Sequence, residues 1–273
     1  MNGTPLSTLT ALVALFALFA LYALDLRWLG RMLDRLRRLP READTRHGLL
    51  LFVAGGAAFV VMLPLLAWSV GIPTGDDAPP AMVPSLIVQT VAALVGAGVV
   101  LLVAARLPDG LAGLGLRRHV GPPAPLVGLA AWIGFLPVFL AVGALSVVVL
   151  RALGHEPEPQ HYIQTFLDDA SARSSVFVWL AIAVINPLAE ELAFRGALFG
   201  GLRARLPVPV AMFVSAVLFA ALHEVDVGLQ VFSLGLLLAW TYERSGSLAV
   251  PCVIHMLHNG LVLLMVASGW LET

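Results

Sequence analysis

Four polar interruptions break a chain that is otherwise almost continuously apolar, and three of them carry residues able to move protons. The stretch Asn186-Pro187-Leu188-Ala189-Glu190-Glu191-Leu192-Ala193-Phe194-Arg195-Gly196 sets two carboxylates and a guanidinium in the middle of one apolar run. Phe219-Ala220-Ala221-Leu222-His223 closes the next run, and His255-Met256-Leu257-His258-Asn259 lies inside the last. Gln89, Gln230 and Ser233 form a milder fourth set, which needs only interhelical hydrogen bonds. On a helix, Glu191 and Arg195 are four apart and face each other as a clamp. Glu190 points about 100° away, with Asn186 one turn before it. His255 and Asn259 lie about 40° apart, so both can look into one site, with His258 beside them. One unpaired carboxylate, two histidines and an amide on three separate elements make up an inventory for general acid–base chemistry. Each residue alone also has a plainer reading: a buried protonated acid for Glu190, an interfacial histidine for His223, a packing residue for His258.

The elements that must carry these groups are membrane spans. Of 273 residues, 59% are hydrophobic and 12% charged, and the mean hydropathy is +0.92. A soluble domain has about twice that share of charge. Runs of about 20 apolar residues suffice to cross a bilayer core. They occur near Leu6–Leu24, Gly48–Val70, Val83–Ala105, Leu126–Leu150, Ser175–Leu202, Pro207–Leu222, Val227–Tyr242 and Leu248–Gly269. The sixth and seventh are short, which calls for tilt or for ends beyond these bounds. The first run has no basic segment before it and no small-residue cleavage site, so it reads as an uncleaved anchor. In the fifth run, two acids and an arginine cost about 8–10 kcal/mol to insert, and its Val, Ile, Leu and Phe residues return only about 4–7. Its polar side must therefore face the bundle or a wet cavity, and an intramembrane ionisable group marks a functional site by default.

Charge in the loops sets orientation. All 16 basic residues are arginine, and seven of them fall in Asp25–His47, which should be cytoplasmic. Asp25–Arg38 is amphipathic enough to lie along that surface. Gly71–Met82, with Asp76 and Asp77, should lie outside, and Arg106, Arg117 and Arg118 return the next loop to the inside. Gly154–Ser174 is acidic and should be outside, while Arg203, Arg205 and Arg244 mark inner ends. Straight helices set the groups at uneven depths: about 18 Å from the inner end for Glu190, about 10 Å for His255 and about 24 Å for His223. The net charge of -1 carries no basic footprint for nucleic acid. Cys252, the single cysteine, sits in an apolar run and reads as a small buried hydrophobe. Arginine without lysine, with heavy use of alanine and leucine, suggests a GC-rich bacterial genome and hence a bacterial plasma membrane.

At these residues the chain resembles the CPBP family: glutamate-type CAAX prenyl proteases, bacteriocin-processing enzymes and Abi proteins. The family shows Glu-Glu-x-x-x-Arg, Phe-x-x-x-His and His-x-x-x-Asn on successive membrane helices. Here these are Glu190-Glu191 with Arg195, Phe219 with His223, and His255 with Asn259, within roughly residues 175–262. The resemblance implies an intramembrane endopeptidase that needs no cofactor. Glu190 would be its general base and His223 would hold and polarise a water. His255 and Asn259 would donate to the oxyanion, and Glu191 and Arg195 would hold the helix in place. The apolar runs give an all-α polytopic bundle of seven or eight spans, expected to enclose an intramembrane polar cavity. Residues 1–174 would supply N-terminal helices and 175–273 the catalytic core of one membrane domain. The partners would be the lipid bilayer and a membrane-associated peptide or protein substrate, which the sequence does not name, as it does not give the oligomeric state. Two other readings stay open. His223, His255, His258 and Glu190 could ligate zinc in a metallopeptidase, although His223-Glu224 does not continue as His-Glu-x-x-His. The cluster could also serve binding in a non-catalytic scaffold or immunity protein.

Overall fold

The computed structural model describes residues 47–72, 82–108, 110–116, 123–158 and 160–269. The anchor Leu6–Leu24, the amphipathic stretch Asp25–Arg38, Asp76, Asp77, Arg117 and Arg118 lie outside the described residues. In lipid a backbone must satisfy its own polar groups, which leaves helices and closed barrels as the spanning structures. The described residues are all-helical. We number the helices α1 (Gly48–Ser69), α2 (Met82–Ala104), α3 (Ala124–Ala152), α4 (His161–Asp168), α5 (Ala170–Ser174), α6 (Val176–Arg203), α7 (Val208–Ala220), α8 (Val225–Ser245) and α9 (Ala249–Ala267). A short 3₁₀ turn, Leu111–Leu114, precedes α3.

Six of these helices are long and apolar enough to cross a membrane, and α7 is a shorter apolar helix. The seventh apolar run does extend past its sequence bounds, since α8 has 21 residues, whereas α7 keeps only 13. Local chemistry sets the ends. Ser175 caps α6 by accepting from the Val178 N–H, and Asp169 caps α5 by accepting from Ser171 and Ala172. The hydrogen bonds from Ser171 and Ala172 also hold the Asp169 carboxyl below its usual pKa range. Pro207 precedes α7, and Gly246, at φ 62°, ends α8 in the left-handed conformation that glycine adopts without strain.

Helix α6 is the hub: α1, α2, α7, α8 and α9 all pack on it, and α3 closes the far side against α8 and α9. Phe135, Leu238 and Ile254 fill the α3–α8–α9 seam, while Leu51, Val100, Leu192, Phe199 and Cys252 fill the side towards α1 and α2. Glycines let backbones meet, as membrane packing favours. A Cβ on Gly201 would stand 2.5 Å from the Leu49 amide nitrogen, and one on Gly96 would stand 2.8 Å from the Gly55 carbonyl. The outer surface stays apolar, with Val53, Val60 and Trp68 on α1 and Leu126, Leu140 and Val148 on α3 all exposed. Lipid, not water, suits such a surface. Contacts between sequence-distant segments agree with alternate crossings. Arg203 pairs with Glu243 and the Leu248 N–H bonds the Gly115 carbonyl at one end. At the other end Asp226 accepts from His155 and from the Glu158 N–H.

Candidate active site

Helix α6 is not a plain α-helix where it carries the carboxylates. Two π-helical stretches, Ala181–Ile185 and Leu192–Phe199, flank the α-helical turn Asn186–Glu191. Such wide turns are rare and tend to occur at functional sites. The clamp forms as its spacing requires: Arg195 Nη1 donates to Glu191 Oε1 at 2.9 Å, with both side chains fully buried. The guanidinium also lies 4.3 Å from the centroid of the Phe219 ring, where the ring's negative face supports the cation.

The same Glu191 oxygen takes a second hydrogen bond that helical spacing alone did not show. His255 Nδ1 stands 2.8 Å from Glu191 Oε1. Because that oxygen is the acceptor of an arginine ion pair, Nδ1 is the donor. The opposite ring nitrogen, Nε2, stands 3.8 Å from Glu190 Oε2. The ring therefore sits between two consecutive carboxylates and is oriented by the buried one, which fixes its pose. Glu190 is 37% exposed while Glu191 is fully buried, so the two neighbouring acids differ sharply in environment.

His223 lies past the end of α7, in the turn before α8. Its Nδ1 donates to the Phe219 carbonyl at 2.9 Å, which leaves Nε2 of a neutral ring as an acceptor. Phe219 is 1% exposed and joins the group together. Its ring centroid is 5.1 Å from that of His223, 5.7 Å from His255 and 5.1 Å from Phe194. The motif spacing had singled out Phe219 without giving it a task; its sequence signal was an aromatic four residues before a histidine at a span end. His255 Nε2 reaches Glu190 and both histidine rings flank Phe219, so these groups lie closer than the uneven depths of straight helices imply.

Asn259 donates from Nδ2 to the Ile182 carbonyl at 3.1 Å, so one of its two amide hydrogens is committed to the α6 backbone. His258 is buried and meets the Phe139 ring edge-on at 4.5 Å, as a packing residue would. The mild polar set departs from expectation: Ser233 donates within its own helix to the Gln230 carbonyl, and Gln89 is exposed. A serine hydroxyl can satisfy itself on the preceding turn, so no interhelical partner is required. Among the described residues no group of three or more His, Cys, Asp or Glu side chains is placed to hold a metal ion.

The comparisons with known proteins bear on the same segment. A family model described as type II CAAX prenyl endopeptidase Rce1-like matches residues 172–261, which run from the end of α5 through His255 and Asn259. An uncharacterized 24.3 kDa protein of Escherichia coli is 30% identical over 160 residues, covering 54% of this chain and 71% of its own. The chain belongs to the CPBP family of CAAX proteases. Within that family, the membrane-embedded CAAX protease MroQ of Staphylococcus aureus (strain USA300) is 28% identical over 156 residues. That match covers 55% of this chain and spans 62% of MroQ's length. YdiL of Bacillus subtilis (strain 168) is 25% identical over 210 residues, covering 76% of this chain and 82% of its own. No solved structure matches the chain. With its spanning helices, this CPBP member is a multi-pass bacterial membrane protein.

Proposed function

We propose that this CPBP protein is an intramembrane endopeptidase that hydrolyses a peptide bond of a membrane-associated substrate with water. The observation that carries the reading is the His255 ring, held by buried Glu191 and turned towards the more exposed Glu190. In this reading Glu190 takes a proton from water, and His223 Nε2 accepts the water's other hydrogen and holds it in line. Hydroxide adds to the carbonyl carbon. The resulting oxyanion accepts from the second amide hydrogen of Asn259 and from His255 Nε2–H, for which the ring is an imidazolium with a proton on each nitrogen. Collapse breaks the C–N bond, and Glu190 returns its proton to the leaving nitrogen, giving an amine and a carboxylic acid that still holds the water's other proton. Glu191 and Arg195 hold the His255 ring and the helix, so residues 175–273 carry the chemistry and the preceding helices frame it. No side chain forms a covalent intermediate.

MroQ is named a CAAX protease, which makes an internally quenched, farnesylated CAAX peptide the first probe, beside its unlipidated twin. Purified protein in proteoliposomes is expected to cut the probe, and Glu190→Gln to lower the rate by about 10²–10⁴-fold with folding preserved. Equal turnover by wild type and Glu190→Gln would remove Glu190 as base, and no cleavage above protein-free vesicles by either would leave the scaffold reading. Loss of wild-type cleavage on chelation, restored by zinc, would favour the metallopeptidase instead.

A further inference from the structure

We propose that Pro187 and Asn259 act as a matched pair, the proline freeing the Ile182 carbonyl from the helix's own ladder and the asparagine taking it, which makes Asn259 a positioning residue for Glu190. The backbone register supports this directly. The Asn186 N–H bonds the Ala181 carbonyl, five residues back, as a π-helix does. The next bond of that register would run from residue 187 to the Ile182 carbonyl. Residue 187 is proline and has no N–H. The carbonyl it leaves behind receives Asn259 Nδ2 at 3.1 Å, from a residue 77 positions away. A carbonyl can only accept, so the amide's orientation is fixed with its nitrogen towards α6.

Helix α9 is close enough to do this. A Cβ on Gly260 would be 3.9 Å from the Ala183 Cβ, so small residues line the crossing beside the bond. One turn earlier on the same face of α9, His255 grips the Glu191 carboxylate. The two bonds thus seize α6 on either side of Glu190, one by its backbone and one by a side chain. Together they set how far Glu190 stands from the His255 ring. An unpaired carbonyl inside the membrane has no water to turn to, so the proline alone would be a defect and the asparagine alone would be redundant. The structural half of this inference stands by itself; the effect on turnover rests on the peptidase reading above.

A double-mutant cycle separates the two. Wild type, Asn259→Ala, Pro187→Ala and the double variant are compared by thermal unfolding in detergent and by cleavage of the farnesylated quenched peptide. Alanine at 187 restores an N–H within reach of the Ile182 carbonyl. Asn259→Ala is therefore expected to lower Tm in the wild-type background and by less than half as much in the Pro187→Ala background. Its loss of turnover should shrink about tenfold in the double variant, the remainder being the missing oxyanion donor. Equal falls in Tm in both backgrounds overturn the pairing. Coupled Tm values with no cleavage by any form, wild type included, leave the pairing standing and remove the peptidase reading. Should Pro187→Ala not yield folded protein, Asn259→Gln is set against Asn259→Leu. Gln keeps a donor, so a higher Tm and at least tenfold more turnover than Leu is expected, and equal Tm values overturn the proposal.

Discussion

Glu190 and Glu191 are neighbours of one chemical type with opposite expected responses to substitution. Arg195 and Glu191 are both fully buried, so Arg195→Ala strands a carboxylate that has lost its main partner. This should cost about 3–5 kcal/mol of stability, seen as poor expression or a lowered Tm. A joint Glu191→Gln, Arg195→Met change should recover part of it, because removing both charges removes the desolvation problem. Absence of any recovery in thermal unfolding would show that the pair is not held by charge. Phe219 bears on both histidines and on the guanidinium, and Phe219→Ala should cost about 3–5 kcal/mol by opening a cavity. Phe219→Leu should be milder in stability yet still lower turnover, since it keeps bulk and loses the aromatic face under Arg195. Equal turnover in Phe219→Leu and wild type would reduce the ring to filler.

At the scale of elements, the glycine crossings give a paired test. A Cβ at Gly201 would meet backbone atoms of Gly48 and Leu49, which cannot swing aside, whereas Gly56 has nothing within 4 Å. Gly201→Ala should cost about 1–3 kcal/mol by overpacking, and Gly56→Ala should be neutral or slightly stabilising; thermal unfolding of both variants decides. The long apolar helices were legible in the sequence, whereas the short α4 and α5 lie in a stretch read only as an outer loop. The ends of α1 and α2 fall within a residue of the apolar runs that predicted them, because the cost of burying polar backbone in lipid leaves little else possible. The Glu191–Arg195 clamp was legible too, since it needs only helical spacing. The bond from His255 to Glu191 was not, because it joins residues 64 apart through a tertiary crossing. Nor were the π turns of α6: they are a choice of hydrogen-bond register, and residue types announce it only through Pro187. The place of His223 off the end of α7 escaped for a related reason, as Ala220-Ala221-Leu222 reads as helix and ends only by local geometry.

For the whole molecule, the inter-segment contacts make orientation testable with one label per side. In a Cys252→Ser background, Glu156→Cys should react in intact cells with a reagent that cannot cross the membrane, and Arg106→Cys should react only after lysis. The reverse pattern would invert the charge argument for which end faces the cytoplasm. The two positions suit the test because both are exposed and flank opposite ends of α3.

The length of α7 has a consequence for the surrounding bilayer. Thirteen residues rise about 20 Å, whereas a bilayer's hydrocarbon core is about 30 Å thick. A helix this short favours local thinning of the lipid beside it, with Leu222 exposed just past its end and His223 next to it. Thinning on that flank would bring headgroups and their hydration towards the site and shorten the path of water to it. Mismatch costs fractions of a kcal/mol per ångström, so host thickness becomes a control on hydration of the site. Cleavage should slow as the acyl chains of reconstituted vesicles lengthen, while Tm changes little.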